Sequence, residues 1–112
     1  MSSKIFNNGA GAAMTAPAAL KPLSQLAAKT AGSSWDGGGA LALANGTELL
    51  HVHVSEDAYL VPSTSASAPA GNNGAVYAGG QTHVIPCRAM DYLHHKRAGD
   101  SDATVTATCF GY

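Results

Sequence analysis

The chain has 112 residues, a length that fits one domain, and so many of its hydrophobic residues are alanines that few large side chains remain to build a core. Its formal net charge of −1 excludes the broad basic surface that holds nucleic acid by counterion release. Only 12% of the residues are charged, which is typical either of a surface partly covered in an assembly or of a small domain with a neutral surface.

Targeting and membrane-spanning segments are not evident in the sequence. No apolar region of the length found in signal peptides follows Lys4, and no run of about 20 apolar residues occurs. We therefore expect a protein made in the cytoplasm that is not inserted into a membrane.

Residues 1–39 are predicted to form an extended N-terminal arm. This region is rich in Ala, Gly, Ser, Asn and Pro, and its few large apolar residues are too scattered to form a core of their own. Leu23 and Leu26 have helical spacing and predict a short helix over 23–29. Trp35 precedes a glycine-rich loop and is expected to close one end of the core.

Residues 40–112 are predicted to form a β domain. Asn45-Gly46 is a strong signal for a two-residue hairpin turn, here between residues 40–45 and 48–55. Further short strands are predicted over 58–61, 75–78, 82–86 and 102–110. The spacing of these strands predicts an all-β fold, either a small β-sandwich or a jelly-roll-like barrel.

Two polar segments interrupt these strands. Residues 63–74 (STSASAPAGNNG) read as a long surface loop of the kind that is often mobile or functional. Residues 88–97 are predicted to be irregular or to form one helical turn. Within them His94-His95-Lys96-Arg97 is interpreted as a solvated turn.

His51 and His53 are the first candidates for a metal site. Alternate residues of a strand share one face, so both imidazoles point the same way and Val52 points to the core. The pair and the nearby Glu56 partly resemble the HxH motif of cupins, which implies a metal- or ligand-binding barrel using His51, His53 and His83. Glu56 follows His53 too closely for that family, so an outward-facing structural pair is the preferred interpretation.

Catalytic signatures and cofactor motifs are absent from the sequence, and we expect a protein that is not an enzyme and that has no cofactor. There is no nucleophile elbow and no phosphate-binding loop. Cys87 and Cys109 lack metal-ligand spacing, and each adjoins a predicted strand. Buried free thiols are the default interpretation, with a disulfide between them as the alternative.

The order of strands and turns over residues 40–108 resembles that of small head proteins of tailed bacteriophages. In that pattern an apolar strand ends in an Asn-Gly turn, a strand of the type AGxTxxIxP follows, and a Tyr-containing excursion leads to a strand of the type GDxxVTVT. The corresponding segments are ALANG at 42–46, AGGQTHVIP at 78–86, Asp91-Tyr92, and GDSDATVT at 99–106.

This resemblance implies a capsid decoration (cement) protein on the exterior of the virion, without enzymatic activity. Its partners would be the major capsid protein and further copies of itself, as a dimer or trimer. A phage tail or fibre component is a second alternative. The candidate partner-binding residues are Ile5, Phe6, Leu20, Leu23, Leu26 and Trp35.

Overall fold

The structure is a computed structural model that describes the backbone of residues 5–7 and 13–15 and all of residues 19–70 and 74–112. Within these ranges the chain is all-β, without a helix, which confirms the predicted fold class. The described residues form eleven strands: β1 (Ile5–Asn7), β2 (Ala13–Thr15), β3 (Lys21–Gln25), β4 (Lys29–Ala31), β5 (Leu41–Ala42), β6 (Leu49–Val54), β7 (Ala58–Ser63), β8 (Ala75–Tyr77), β9 (Gln81–Pro86), β10 (Tyr92–Arg97) and β11 (Ala103–Gly111).

Two antiparallel sheets pack as a small β-sandwich. The first sheet has the order β3-β11-β6-β9, with β4 also paired to β11, and the second has the order β5-β10-β7-β8. β11 is central to the first sheet because β6 occupies one of its edges and β3 and β4 share the other. Its alternating, β-branched sequence (ATVTATCFG) suits a strand that is buried on one face only.

The core lies between the two sheets and is formed by alternate residues of their strands. β6 contributes Leu50, Val52 and Val54, each fully buried, as the sequence predicts. The other large contributors come from both sheets: Leu41, Leu60, Ile85, Leu93 and Val105. Small residues such as Ala103 and Ala107 fill the positions between them. The alanine content therefore lets the two sheets approach closely around few large side chains.

The predicted arm differs from the structure between residues 21 and 31. The helix predicted over 23–29 is wrong, because β3 and β4 occupy this region and pair with β11. A helix of seven residues is only marginally stable, whereas an extended chain here satisfies the second edge of β11. The sheet thus begins at Lys21 and not at the predicted boundary after residue 39.

The predicted hairpin at Asn45-Gly46 is also wrong, although the turn itself is present. Gly46 adopts a positive φ of 82°, and the N–H of Thr47 donates to the carbonyl oxygen of Ala44 at 3.2 Å. The strand before the turn, β5, pairs with β10, whereas β6 pairs with β9 and β11. The turn therefore carries the chain from one sheet to the other.

β1 and β2 form a separate two-stranded sheet. They pair antiparallel with each other, with Ile5 opposite Thr15 and Phe6 opposite Met14. No strand of the two larger sheets, as far as the structure describes the chain, pairs with either of them. Neither described strand of the N-terminal segment, defined here as residues 1–18, therefore belongs to the sandwich.

Candidate functional site

β10 brings two adjacent histidines into the interior of the protein. The side chains of His94 and His95 are both 0% exposed, so the prediction of a solvated turn over 94–97 is wrong. Neighbouring residues of a strand face opposite sides of the sheet. His95 lies opposite Leu60 on the core face, and His94 lies opposite Val61 on the outer face. Polar and apolar residues do not alternate along a strand that is covered on both faces, so the sequence pattern did not identify β10 as a strand.

Asp36 contacts both histidines from the loop at residues 33–39. One carboxylate oxygen, Oδ2, lies 2.7 Å from Nδ1 of His94, and the other, Oδ1, accepts the backbone N–H of His95 at 3.0 Å. The backbone N–H of Asp36 donates in turn to the carbonyl oxygen of His95 at 2.9 Å. Asp36 therefore continues the hydrogen bonding of β10 beyond the point where the short β5 ends.

Both ring nitrogens of His94 face oxygen acceptors. Nδ1 donates to the carboxylate of Asp36, and Nε2 donates to the backbone carbonyl of Ser65 at 2.8 Å. Both ring nitrogens are therefore occupied by hydrogen bonds within the chain, one to a carboxylate and one to a backbone carbonyl. The pair has the composition of a catalytic dyad, yet neither ring nitrogen is free to reach a substrate. Its evident role is to hold two loops against the outer face of the second sheet.

His95 is held differently. Its Nε2 donates to the carbonyl oxygen of Gly39 at 3.1 Å, while its buried Nδ1 has no hydrogen-bond partner among the described residues. Burial lowers the pKa of His95 below its ordinary value of 6.5, an effect that the Gly39 hydrogen bond and the charge of Asp36 only partly oppose. The fold therefore favours the neutral ring.

Acidification is expected to destabilise the protein through His95. Because its pKa is lower in the folded chain, the unfolded chain binds the proton first, and the free energy of unfolding falls as the pH decreases below 6.5. One such group contributes at most about 1.4 kcal/mol per pH unit. Urea denaturation from about pH 7.5 to about pH 5.5 measures this dependence, which is expected to be weaker in His95→Leu. An unchanged dependence in that variant would contradict the assignment.

The loops that cover His94 are the two segments predicted to be loops from composition. Ser65 belongs to the loop predicted at residues 63–74, and its carbonyl oxygen ties this part of the loop to His94. Trp35 does not close the end of the core as expected; it lies on the outer face of the second sheet. Its ring centroid is 6.4 Å from that of Tyr59 and 5.9 Å from Nζ of Lys96.

The other candidate partner-binding residues fall into two groups. Leu23 and Leu26 are partly buried against the core, so much of their apolar surface is used within the chain, and Leu20 is half-buried. Ile5 and Phe6 lie on β1, outside the sandwich; their side chains lie outside the described part of the structure. The residues that remain distinct from the sandwich are therefore those nearest the N-terminus.

The three histidines of the alternative metal site do not converge. His51 and His53 point outward from the first sheet, as predicted. His83 pairs with Val52 and therefore lies on the opposite, inner face of the same sheet. It stacks on Tyr77 at 5.1 Å, and its Nε2 is 2.9 Å from the carbonyl oxygen of Ala78. In the part of the chain that the structure describes, no group of three His, Cys, Asp or Glu side chains could hold a metal ion.

The outer face of the first sheet is free of Asp, Glu, Lys and Arg along β6, β9 and β11. The register of these three strands places the following residues on it: Leu49, His51, His53, Thr82, Val84, Pro86, Thr104, Thr106, Thr108 and Phe110. His51 packs on the ring of Phe110 at 4.3 Å, and Val84 is 57% exposed. We call this surface the uncharged face. It contrasts with the outer face of the second sheet, which the two loops cover.

Cys87 and Cys109 are both free and buried, which confirms the default interpretation. Burial, together with the neighbouring Cys109 and Glu48, raises the pKa of the Cys87 thiol to about 11. A thiol in this state is a poor nucleophile at neutral pH. Cys87 therefore serves as a small apolar residue of the core.

An open groove of about 580 Å³ lies between β4 and residues 32–38. Its ionisable residue is Lys29, whose Nζ donates to the carbonyl oxygen of Gly38 at 2.7 Å. No acid or base partner lines it, so its composition indicates no catalytic chemistry.

Among the described residues no helix is long and apolar enough to cross a membrane.

Comparison with known proteins gives no further identification. The sequence matches no model of a protein family and no curated protein, and the fold matches no solved structure. The assignment of a function therefore depends on the geometry described above.

Proposed function

We propose that the protein is a non-enzymatic structural protein of a bacteriophage virion that binds the major capsid protein on the outside of the shell. The observation that carries the proposal is the separation of β1 and β2 from the sandwich: they pair only with each other among the described strands. A strand that bears Ile5 and Phe6 and pairs with no described strand of the sandwich is suited to binding a second protein.

The position of the motif segments gives independent support. The segment AGGQTHVIP ends in β9, the segment GDSDATVT leads into β11, and ALANG contains the turn between the two sheets. The elements on which the likeness to phage head proteins depends are thus strands and turns of a β-sandwich. A sealed Asp36–His94 pair and a buried, poorly nucleophilic Cys87 agree with a protein that acts by binding.

The energetics of the N-terminal segment favour attachment in several copies. Full burial of Ile5 or Phe6 contributes about 1.5–3 kcal/mol per side chain. Ordering the backbone opposes this by about 1–2 kcal/mol per residue. The net gain per chain is therefore small, and firm attachment follows when several linked copies bind neighbouring shell subunits.

The proposal is tested by binding to heads assembled without this protein. Ile5→Asp/Phe6→Asp introduces two charges on β1 and is expected to weaken binding at least about a hundredfold, since burial of both side chains is lost. Copies bound per head, measured by sedimentation over a range of protein concentration, give the affinity. Thermal unfolding of the free variant is expected to be unchanged because β1 lies outside the sandwich.

Asn7→Asp/Asn8→Asp is the matched control, since it adds the same two charges to the same segment without removing an apolar side chain. It is expected to bind like the wild type. Equal binding by both double variants would overturn the assignment of the N-terminal segment. Binding to isolated tails in place of heads would support the tail or fibre alternative.

A further inference from the structure

β9 lies at one edge of the first sheet. One side of β9 pairs with β6, and no described strand pairs with the other side of β9. The strand spans Gln81–Pro86 and carries no Asp, Glu, Lys or Arg. Long, uncharged edges are the kind that pair readily with another chain, because natural proteins protect such edges mainly with charges, prolines or bulges.

The hydrogen-bonding pattern shows which backbone groups of β9 face outward. The N–H of Ser55 donates to the carbonyl oxygen of Thr104 at 3.1 Å, so His53 and His51, two and four residues before it, also direct their backbone groups to β11. The intervening residues of β6 direct theirs to β9. In β9 the partners of those residues are Gln81, His83 and Ile85.

Thr82, Val84 and Pro86 therefore direct their backbone groups to the free side of the sheet. Thr82 and Val84 each present an N–H and a carbonyl there, and Pro86 presents a carbonyl only. This explains why a proline is compatible with β9: position 86 faces away from β6, so pairing with β6 requires no N–H from it.

We propose that this free edge of β9 pairs antiparallel with the same edge of a second copy of the chain. A two-fold axis beside His83 places Thr82 opposite Val84 of the other copy, and Val84 opposite its Thr82. All four available N–H groups then meet carbonyl oxygens, and no N–H is required from Pro86. Two copies of this edge can thus form all of these hydrogen bonds, and the lack of an N–H at Pro86 favours this register.

The neighbouring surfaces agree with a second copy as the occupant. Because the strands meet without charged side chains, two identical edges approach without like-charge repulsion. The pairing also joins the uncharged faces of both copies into one surface. On the inner side, the His83 ring contacts Tyr77 and the carbonyl oxygen of Ala78 within its own chain.

Pairing along one short edge makes a small contact, below the roughly 1,000 Å² of stable interfaces, so the dimer is weak in dilute solution. Concentrating copies on a shell would populate it by mass action. The inference concerns the free protein and is tested without heads, so its failure and the failure of the proposed capsid binding are distinguishable.

Sedimentation of the free, full-length protein from micromolar to millimolar concentration tests the proposal. The expected result is a reversible monomer–dimer equilibrium that Val84→Lys weakens by about tenfold or more, because two like charges then meet at the paired edge. Val76→Lys is the matched control, since Val76 is a similarly exposed valine on β8, an edge strand of the other sheet. It is expected to dimerise like the wild type.

Amide hydrogen exchange identifies the surface directly. In the concentrated wild-type sample the N–H groups of Thr82 and Val84 are expected to become protected, whereas those of His83 and Ile85, which face β6, are expected to be protected at every concentration. Val84→Pro, which removes one outward N–H without removing a bond to β6, provides a second variant and is expected to be monomeric. The proposal would be overturned if the protein were monomeric at every concentration or formed a trimer. It would also be overturned if the two lysine variants had equal effects, or if the dimer left the N–H groups of Thr82 and Val84 unprotected.

Discussion

Asp36→Ala is expected to lower the free energy of unfolding by about 3–5 kcal/mol, a large part of the stability of a small domain. The substitution removes the carboxylate that forms a hydrogen bond with the buried ring of His94 and accepts the N–H of His95. His94 keeps its bond to Ser65, but its buried Nδ1 loses its partner and the backbone N–H of His95 is left without an acceptor. Guanidinium denaturation followed by circular dichroism measures the change.

Two further variants separate the possible causes of this loss. Asp36 has a positive φ of 56°, which asparagine tolerates well and alanine does not. Asp36→Asn keeps an acceptor for His95 and is expected to lose less stability than Asp36→Ala. Asp102→Ala removes an aspartate that pairs with Arg97 at 2.8 Å on the surface, and it is expected to lose no more than about 1 kcal/mol. Similar losses at positions 36 and 102 would show that the cluster does not stabilise the fold.

Gly79→Ala is expected to lower the free energy of unfolding by roughly 1–3 kcal/mol. The turn containing Gly79 packs directly on the turn between β6 and β7, and its N–H donates to Oδ1 of Asp57 at 2.8 Å. A β-carbon at position 79 would lie 2.5 Å from Cα of Glu56 and 2.9 Å from the backbone nitrogen of Asp57. Because these are backbone atoms, one of the two turns must move. Thermal and chemical unfolding of the variant measure the effect.

Gly99→Ala is the matched control for this substitution. A β-carbon at position 99 meets nothing within 4 Å, and the residue does not have a positive φ. Its stability is expected to equal or slightly exceed that of the wild type, since alanine restricts the unfolded chain more than glycine does. If Gly79→Ala behaves like Gly99→Ala, the close packing of the two turns is not required for folding.

The fold class and most strands of the second half could be predicted from local pattern. β6, β7, β8, β9 and β11 each contain β-branched or alternating apolar residues close to the predicted limits. Pairing could not be predicted in the same way, because the partner of a strand depends on the whole sheet. The Asn45-Gly46 turn thus joins different sheets, and β3 and β4 gain their structure from β11.

The Asp36–His94–His95 cluster was missed for a related reason. Asp36 stands in a glycine-rich segment that reads as a loop, 58 positions away from the ring it contacts. The adjacent histidines of β10 resembled a hydrated basic turn because Lys96 and Arg97 follow them. The available signal was the unbroken run YLHHKR, which is long enough for a strand and is polar because loops cover its outer face.

The central position of β11 also bears on how the protein is made. Every other described strand of the sandwich precedes β11 in the chain; β3 and β4 depend on it for pairing, and β6 depends on it for one of its two edges. A ribosome therefore completes these three strands well before it supplies the strand that joins them. Until then the strand edges that later pair with β11 are open to other nascent chains, and contacts so distant in sequence form slowly. Assembly of the first sheet thus awaits translation of residues 103–111, which makes the nascent chain most vulnerable to aggregation just before that point.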